Sequence, residues 1–252
     1  ALYPLSNTLN KLKNSGYQLY KNEDRITHLL YMDDLKVIAQ SDSALEQQLQ
    51  TIREFSSAIN MEFGLDKCAR ANIVKGKIQN KENVEGDPPE DIKNLEPGET
   101  YKYLGIEENP EICNTIMKER IIKEYLRRTR MILKTQLTAK NKMQAINTLA
   151  IPVIEYSFGI LNWTMEELDR LDRKTRKLLT INGILHPRAD INRIYVSRRD
   201  GGRGMKQIVS TYNRTIISLA KYIKKNKEDR FVRQILRHEG QNTTRKTVIK
   251  QA

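Results

Sequence analysis

The stretch His28-Leu29-Leu30-Tyr31-Met32-Asp33-Asp34-Leu35-Lys36 decides how this chain is read. Ile26 to Leu30 and Leu35 to Ala39 are short, apolar and strand-like, and the acidic pair falls between them, where a hairpin turns. Adjacent carboxylates on a tight turn repel each other, and a divalent cation relieves the repulsion. Mg²⁺ takes hard oxygen ligands, typically from one or two carboxylates plus substrate phosphates. Asp-Asp also suits an ordinary turn, because Asp bonds its own backbone and tolerates turn geometry. The sequence around the turn separates these readings.

Ser41 to Asn60 is predicted to be a helix, with Leu45, Leu49, Ile52, Phe55 and Ile59 as its apolar stripe and Glu46, Gln47, Gln50 and Arg53 opposite. Next come Met61-Glu62-Phe63-Gly64-Leu65-Asp66-Lys67-Cys68 and, later, Tyr101-Lys102-Tyr103-Leu104-Gly105-Ile106. The order of acidic hairpin, helix, Gly-Leu-x-Lys and Tyr-Leu-Gly resembles the later palm motifs of a reverse transcriptase. The wording is similar to that of non-LTR (LINE-type) retrotransposon reverse transcriptases. The similarity continues through Thr129 to Lys134, Ala145 to Pro152, Asp172 to Leu179 and Gly201 to Met205.

The resemblance implies an α+β fold: a partial polymerase palm over residues 1–110, a helical thumb over 111–185 and a basic helical extension over 186–252. It implies RNA-templated DNA synthesis with an RNA template, a DNA primer and dNTP as partners, and Mg²⁺ or Mn²⁺ as cofactor. Asp33 is then a catalytic metal ligand, with Asp34 a second ligand or electrostatic support. Tyr31 stacks near the primer end or packs the hairpin. Lys67 matches a position near the incoming triphosphate, where a cation assists pyrophosphate departure; the plain alternative is a solvent-facing lysine. Tyr103, Leu104 and Gly105 match the primer-grip turn, or form a core strand ending at Gly. Many members have Ala where this chain has Met32. That residue bears on nucleotide selection, or fills an irregular gap.

Two-metal phosphoryl transfer needs ligands for both the attacking and the leaving oxygen. Upstream of Asp33 the only acidic residues are Glu23 and Asp24, in the polar stretch Lys21 to Arg25, which is expected to be a hairpin loop. Leu2-Tyr3-Pro4-Leu5-Ser6 resembles the end of the preceding family motif. The expectation is a piece of a longer reading frame, or a decayed copy, that polymerises poorly or not at all by itself. Two other readings stay open: a non-catalytic RNA- or DNA-binding protein derived from a retrotransposon, and a protein similar to group II intron maturases.

Charge is unevenly placed. Residues 1–110 hold 13 Lys+Arg against 18 Asp+Glu, whereas residues 111–252 hold 31 against 13. Such an asymmetry favours a nucleic-acid partner for the second part. Gln79 to Gly98, with Gly86, Pro88, Pro89, Pro97 and Gly98, reads as a long inserted loop. After Pro110 the pattern turns helical. Ile116, Ile121, Tyr125, Ile132 and Leu133 sit among basic residues that include Arg127, Arg128, Arg130 and Lys134. A second helix is expected from Asn141, with Met143, Ile146, Leu149 and Ala150 before Pro152. A third starts at Thr164, which forms a capping box with Glu167. Its stripe is Leu168, Leu171, Leu178 and Leu179, and Arg173, Lys174, Arg176 and Lys177 occupy other faces. These eight basic residues are the candidate nucleic-acid contacts.

His186-Pro187 is expected to end a helix or turn, and Gly201-Gly202-Arg203-Gly204 to form a tight turn. Met205 to Lys225 is expected to be a helix, and residues 240–252 to fray. Two cysteines far apart argue for a reducing compartment without disulfides. No apolar run approaches the ~20 residues that cross a bilayer, and no secretory signal pattern is visible. The expected setting is the nucleus or cytoplasm, away from membranes.

Overall fold

Short hairpins supply most of the β structure and long amphipathic helices the rest, so the chain is α+β. The computed structural model describes residues 2–12, 14–21, 24–62, 64–79, 92–241 and 247–252. They form two compact units, Ala1–Cys113 and Asn114–Ala252. The segments expected as 111–185 and 186–252 share the second unit apart from residues 111–113.

In the first unit, α1 (Tyr3–Lys11) starts with Pro4 in its first turn, where the missing N–H costs nothing. Strands β1 (His28–Tyr31) and β2 (Asp34–Val37) pair antiparallel, and α2 (Asp42–Ala58) follows, capped by Ser41 Oγ, which accepts from the Ala44 N–H at 3.2 Å. Alternation along β2 turns Leu35 and Val37 toward a core of Leu5, Leu9 and Ile52, joined by Leu12 and Phe55. Each such side chain, fully buried, stabilises the fold by roughly 1.5–3 kcal/mol. The buried positions of α2 are Ala44, Gln48 and Ile52, with Leu45, Leu49 and Phe55 flanking; Ile59, expected in the stripe, is the C-cap and lies exposed. Gln48 takes a core position; its Nε2 donates to the Ile38 carbonyl at 3.3 Å, and its Oε1 is buried without a partner among the described residues. Before β1, Tyr17 and Ile26 exchange backbone hydrogen bonds, which closes the hairpin expected around Lys21 to Arg25.

The remaining strands are β3 (Ala69–Arg70), β4 (Ile73–Val74), β5 (Lys77–Ile78), β6 (Lys93–Asn94), β7 (Tyr101–Tyr103), β8 (Ile106–Asn109) and β9 (Glu111–Ile112). β3 pairs parallel with β6, β4 antiparallel with β5, and β7-β8-β9 form an antiparallel sheet. Of the loop expected over Gln79 to Gly98, residues 80–91 lie outside the described residues. At its end Pro97 and Gly98 (φ 94°) are the central residues of a turn closed by Glu99 N–H to the Glu96 carbonyl at 3.0 Å.

The second unit is helical among its described residues: α3 (Asn114–Lys134), α4 (Ala139–Ala145), α5 (Ile151–Glu155), α6 (Met165–Ile181), α7 (Asn192–Tyr195), α8 (Ile208–Lys225), α9 (Arg230–Gln241) and α10 (Val248–Gln251). Its core includes Tyr125, Ile146, Ile151, Ile154, Phe158, Leu168, Leu179 and Ile208. On α3 the buried stripe runs through Met117, Ile121, Tyr125, Ile132 and Leu133. Ile116 sits one residue, hence about 100°, off that stripe and is exposed, contrary to expectation. Pro152 does not end the second helix. A π turn, Ile146–Ala150, widens the coil ahead of it, and α5 continues. The wider turn leaves Leu149 on the surface.

The capping box of Thr164 and Glu167 is present on α6. The helix ends on Asn182 with Gly183 at φ 68°, and Ile184 N–H and Gly183 N–H donate to the carbonyls of Leu179 and Thr180. Asp172 on α6 is buried; its two carboxylate oxygens accept from the N–H groups of Ile208 (3.0 Å) and Val209 (3.2 Å), capping α8 from a neighbouring helix. Burial pushes its carboxyl above the ordinary range despite those bonds. The C-terminal segment expected to fray ends in α10, where the Tyr212 hydroxyl donates to Gln251 Oε1 at 2.6 Å.

Candidate functional site

A two-residue turn, Met32-Asp33, joins β1 to β2, because Tyr31 and Asp34 are already a paired register position. Met32 has φ 56° and Asp33 a negative φ, the sign pattern of a II′ hairpin turn. Tyr31, Met32, Asp33 and Asp34 are all exposed. The period of two sorts the hairpin into faces. His28, Leu30, Leu35 and Val37 share one face, the last two in the core. Leu29, Tyr31, Asp34 and Lys36 share the other.

That outer face meets the Tyr-Leu-Gly motif. The Tyr103 hydroxyl donates to the Leu29 carbonyl across a long 3.5 Å, and Lys36 Nζ lies 5.2 Å from the centre of the Tyr103 ring. Lys36 also pairs with Glu108 on β8. The Gly-Leu-x-Lys motif joins through Tyr101, whose hydroxyl donates to the Lys67 carbonyl at 3.1 Å. Burial first holds the phenols of Tyr101 and Tyr103 above their usual range, followed by Cys68, Asp34 and Glu108 at Tyr101 and by Asp34 and Glu108 at Tyr103. Asp34 therefore stands within electrostatic reach of both tyrosines. Tyr103 thus links the Tyr-Leu-Gly motif to the acidic hairpin, and Tyr101 links it to the Gly-Leu-x-Lys turn.

Gly64-Leu65-Asp66-Lys67 forms a short 3₁₀ turn, Leu65–Lys67, closed by Lys67 N–H to the Gly64 carbonyl. The Lys67 side chain is exposed. Leu104 and Gly105 are the turn between β7 and β8, and both have positive φ, the I′ pattern. His28 has both ring nitrogens engaged at 2.8 Å, by Ser6 Oγ and Thr27 Oγ1. It is a strand residue held in place by these two bonds.

Asp33 and Asp34 offer hard oxygens, which fit a Mg²⁺ or Mn²⁺ ion whose other ligands are water and phosphate. Among the described residues no cluster of three or more His, Cys, Asp or Glu is placed to hold a metal. Of the two upstream acids, Asp24 is exposed and Glu23 lies outside the described residues. Glu108 approaches the same tyrosines but is matched by Lys36.

In the second unit the candidate basic residues divide. Glu124 accepts from Arg127 (2.7 and 2.8 Å) and from Arg128 (2.7 Å), and Arg128 also donates to the Leu149 carbonyl at 3.0 Å. Arg173 pairs with Asp169 at 3.2 Å, and Arg176 is half-buried against the Tyr195 hydroxyl at 2.8 Å. Arg130, Lys134, Lys174 and Lys177 are exposed with no partner among the described residues. Arg128 and Arg176 thus tie the unit together, a role that spacing on a single helix does not reveal.

No protein-family model and no curated protein matches this chain. The site must be judged on its own residues. Sequence reasoning passed over Lys36, Tyr101 and Glu108. Lys36 and Tyr101 each lie two residues from a chosen position, so the period of a strand already placed them on the right face.

Proposed function

We propose that this chain carries the later palm and the thumb of an RNA-directed DNA polymerase of the non-LTR retrotransposon kind. The observation that carries the reading is the linkage just described. The acidic hairpin, the Gly-Leu-Asp-Lys turn and the Tyr-Leu-Gly hairpin are joined by the hydroxyls of Tyr103 and Tyr101. In the reaction a primer 3′-hydroxyl attacks the α-phosphate of a dNTP and pyrophosphate leaves.

Asp33 and Asp34 would hold Mg²⁺ or Mn²⁺, which when bound polarises the phosphoryl oxygens. Tyr31 offers an exposed ring beside them for the primer terminus. Lys67, exposed and without a side-chain partner among the described residues, offers a cation to the leaving pyrophosphate. The Tyr103-Leu104-Gly105 turn backs the hairpin and fixes its outer face. The basic helices of the second unit offer charge to template and product backbones.

Mn²⁺ binding followed by electron paramagnetic resonance tests the metal site on this chain directly. Asp33→Asn and Asp34→Asn are each expected to weaken it. Primer extension by the reading frame that contains the chain tests the reaction, and Asp33→Asn should abolish it. The excess of Lys and Arg over Asp and Glu in residues 111–252 favours one other reading, a retrotransposon-derived nucleic-acid-binding protein. Its signature is oligonucleotide binding that falls steeply with salt and is unchanged by Asp33→Ala, with no binding of Mn²⁺ at the hairpin.

A further inference from the structure

One basic surface of the second unit without internal partners among the described residues lies at the C-terminal end of α8. The sequence of that helix, Ile208–Lys225, contains no Asp or Glu. Its buried face is Ile208, Thr211, Tyr212, Ile216 and Ala220. Its other side exposes Lys221, Tyr222, Lys224 and Lys225, even with α10 docked on the same helix. None of the three lysines has a hydrogen-bond or ion-pair partner among the described residues. Tyr222 is 63% exposed and its hydroxyl is likewise unpartnered. On α3 and α6, by contrast, Glu124 and Asp169 neutralise the arginines beside them.

We propose that this end of α8 binds a single-stranded nucleic acid, with a base stacked on Tyr222 and the backbone held by Lys221 and Lys225. An exposed aromatic ring flanked by unpaired cations matches what unpaired strands need: a stacking platform beside phosphate-neutralising charge. Lys221 and Lys225 lie one turn apart, about 6 Å along the axis, so both can meet one backbone. In a duplex the bases are already stacked, and Tyr222 would add little. A membrane surface fits less well, because an interfacial helix buries a whole apolar face and that face of α8 is already inside the unit. The inference rests on the proposed function only for the class of partner.

The test is fluorescence anisotropy of the whole chain with labelled oligo(rU), oligo(dT) and a duplex of equal length, over a range of salt. Tyr222→Ala should weaken single-strand binding by roughly tenfold, while Tyr222→Phe keeps it. Lys221→Ala with Lys225→Ala should lower the slope of log K against log salt by about 1.4, from about 0.7 per lost phosphate contact. Both variants should keep the wild-type circular dichroism, since the side chains are exposed. A preference for rU or for dT identifies the strand, and either supports the proposal. Single-strand binding untouched by Tyr222→Ala overturns it, as does tighter binding of duplex, or binding of anionic vesicles without any of oligonucleotides. Loss of Mn²⁺ binding at Asp33 and Asp34 is a separate readout, so the polymerase reading can fail while this one stands.

Discussion

Met32, Lys75 and Leu104 each open a two-residue hairpin turn with positive φ, at 56°, 50° and 47°. Side chains with a Cβ adopt that region at a cost of roughly 1–2 kcal/mol, and Asn bears it best. Lys75-Gly76 and Leu104-Gly105 both have the I′ pattern, for which Asn-Gly is the favoured pair. Leu104→Asn is therefore expected to stabilise the first unit by about 1 kcal/mol, read as a higher urea midpoint. An unchanged midpoint would mean that Leu104 packs well enough to offset its strain. Two apolar runs flanking Met32-Asp33 were enough to locate the acidic turn in the sequence. The sign of φ was not legible, because Met and Leu carry no turn signal of their own. The hairpin around Lys75-Gly76 was missed altogether, since its strands are two residues each and too short to show alternation.

Helix faces were legible to within about one residue, and the misses have a common cause. Ile116 and Leu149 are apolar, yet the first lies beside the stripe of α3 and the second on a π turn that no periodicity of 3.6 describes. Asn147, within that π turn, ties it to the glycine-rich segment that precedes α8. Its Nδ2 donates to the Gly204 carbonyl at 2.8 Å, and its Oδ1 accepts from Lys206 N–H at 2.9 Å. Asn147→Ala leaves both backbone groups without those partners and should destabilise the second unit by roughly 2 kcal/mol in urea unfolding. The same glycine-rich segment is tightly docked. A Cβ on Gly202 would lie 2.0 Å from the Val196 carbonyl oxygen, so Gly202→Ala should be more damaging still. The sequence suggested a tight turn at Gly201 to Gly204, and the close approach at Gly202 is why a glycine is needed there. On α3, Arg127 and Arg128 hold the Glu124 carboxyl down to about 2 from its usual 4.5. Between those values the unfolded chain binds the proton and the folded chain does not, so this contribution is present above pH 4.5 and lost as pH falls toward 2. Thermal melts of Glu124→Gln should accordingly fall less steeply than wild type between pH 5 and pH 3.

At the scale of the whole chain, the sequence divides by charge near residue 110 and the structure by contacts at Cys113 and Asn114. Each of the two units has its own apolar stripes and closes its own core. What composition did not disclose was that the last 67 residues (186–252) complete the core of the second unit, through Ile194, Met205, Ile208 and Ile216. The chain holds one tryptophan, Trp163, buried in the second unit, with its Nε1–H donated to Ser157 Oγ at 2.9 Å and Lys118 Nζ 5.3 Å from its ring. Its fluorescence therefore reports on the second unit alone, while circular dichroism reports on both. If each core is sufficient for its own unit, Leu104→Asn should shift only the part of the urea transition seen by circular dichroism and leave the tryptophan midpoint in place. Asn147→Ala should do the reverse, lowering the tryptophan midpoint. A tryptophan transition that moves with Leu104→Asn would show that the two units unfold as one cooperative body, and the energetics of the hairpin site would then depend on the helices as well as on its own strands.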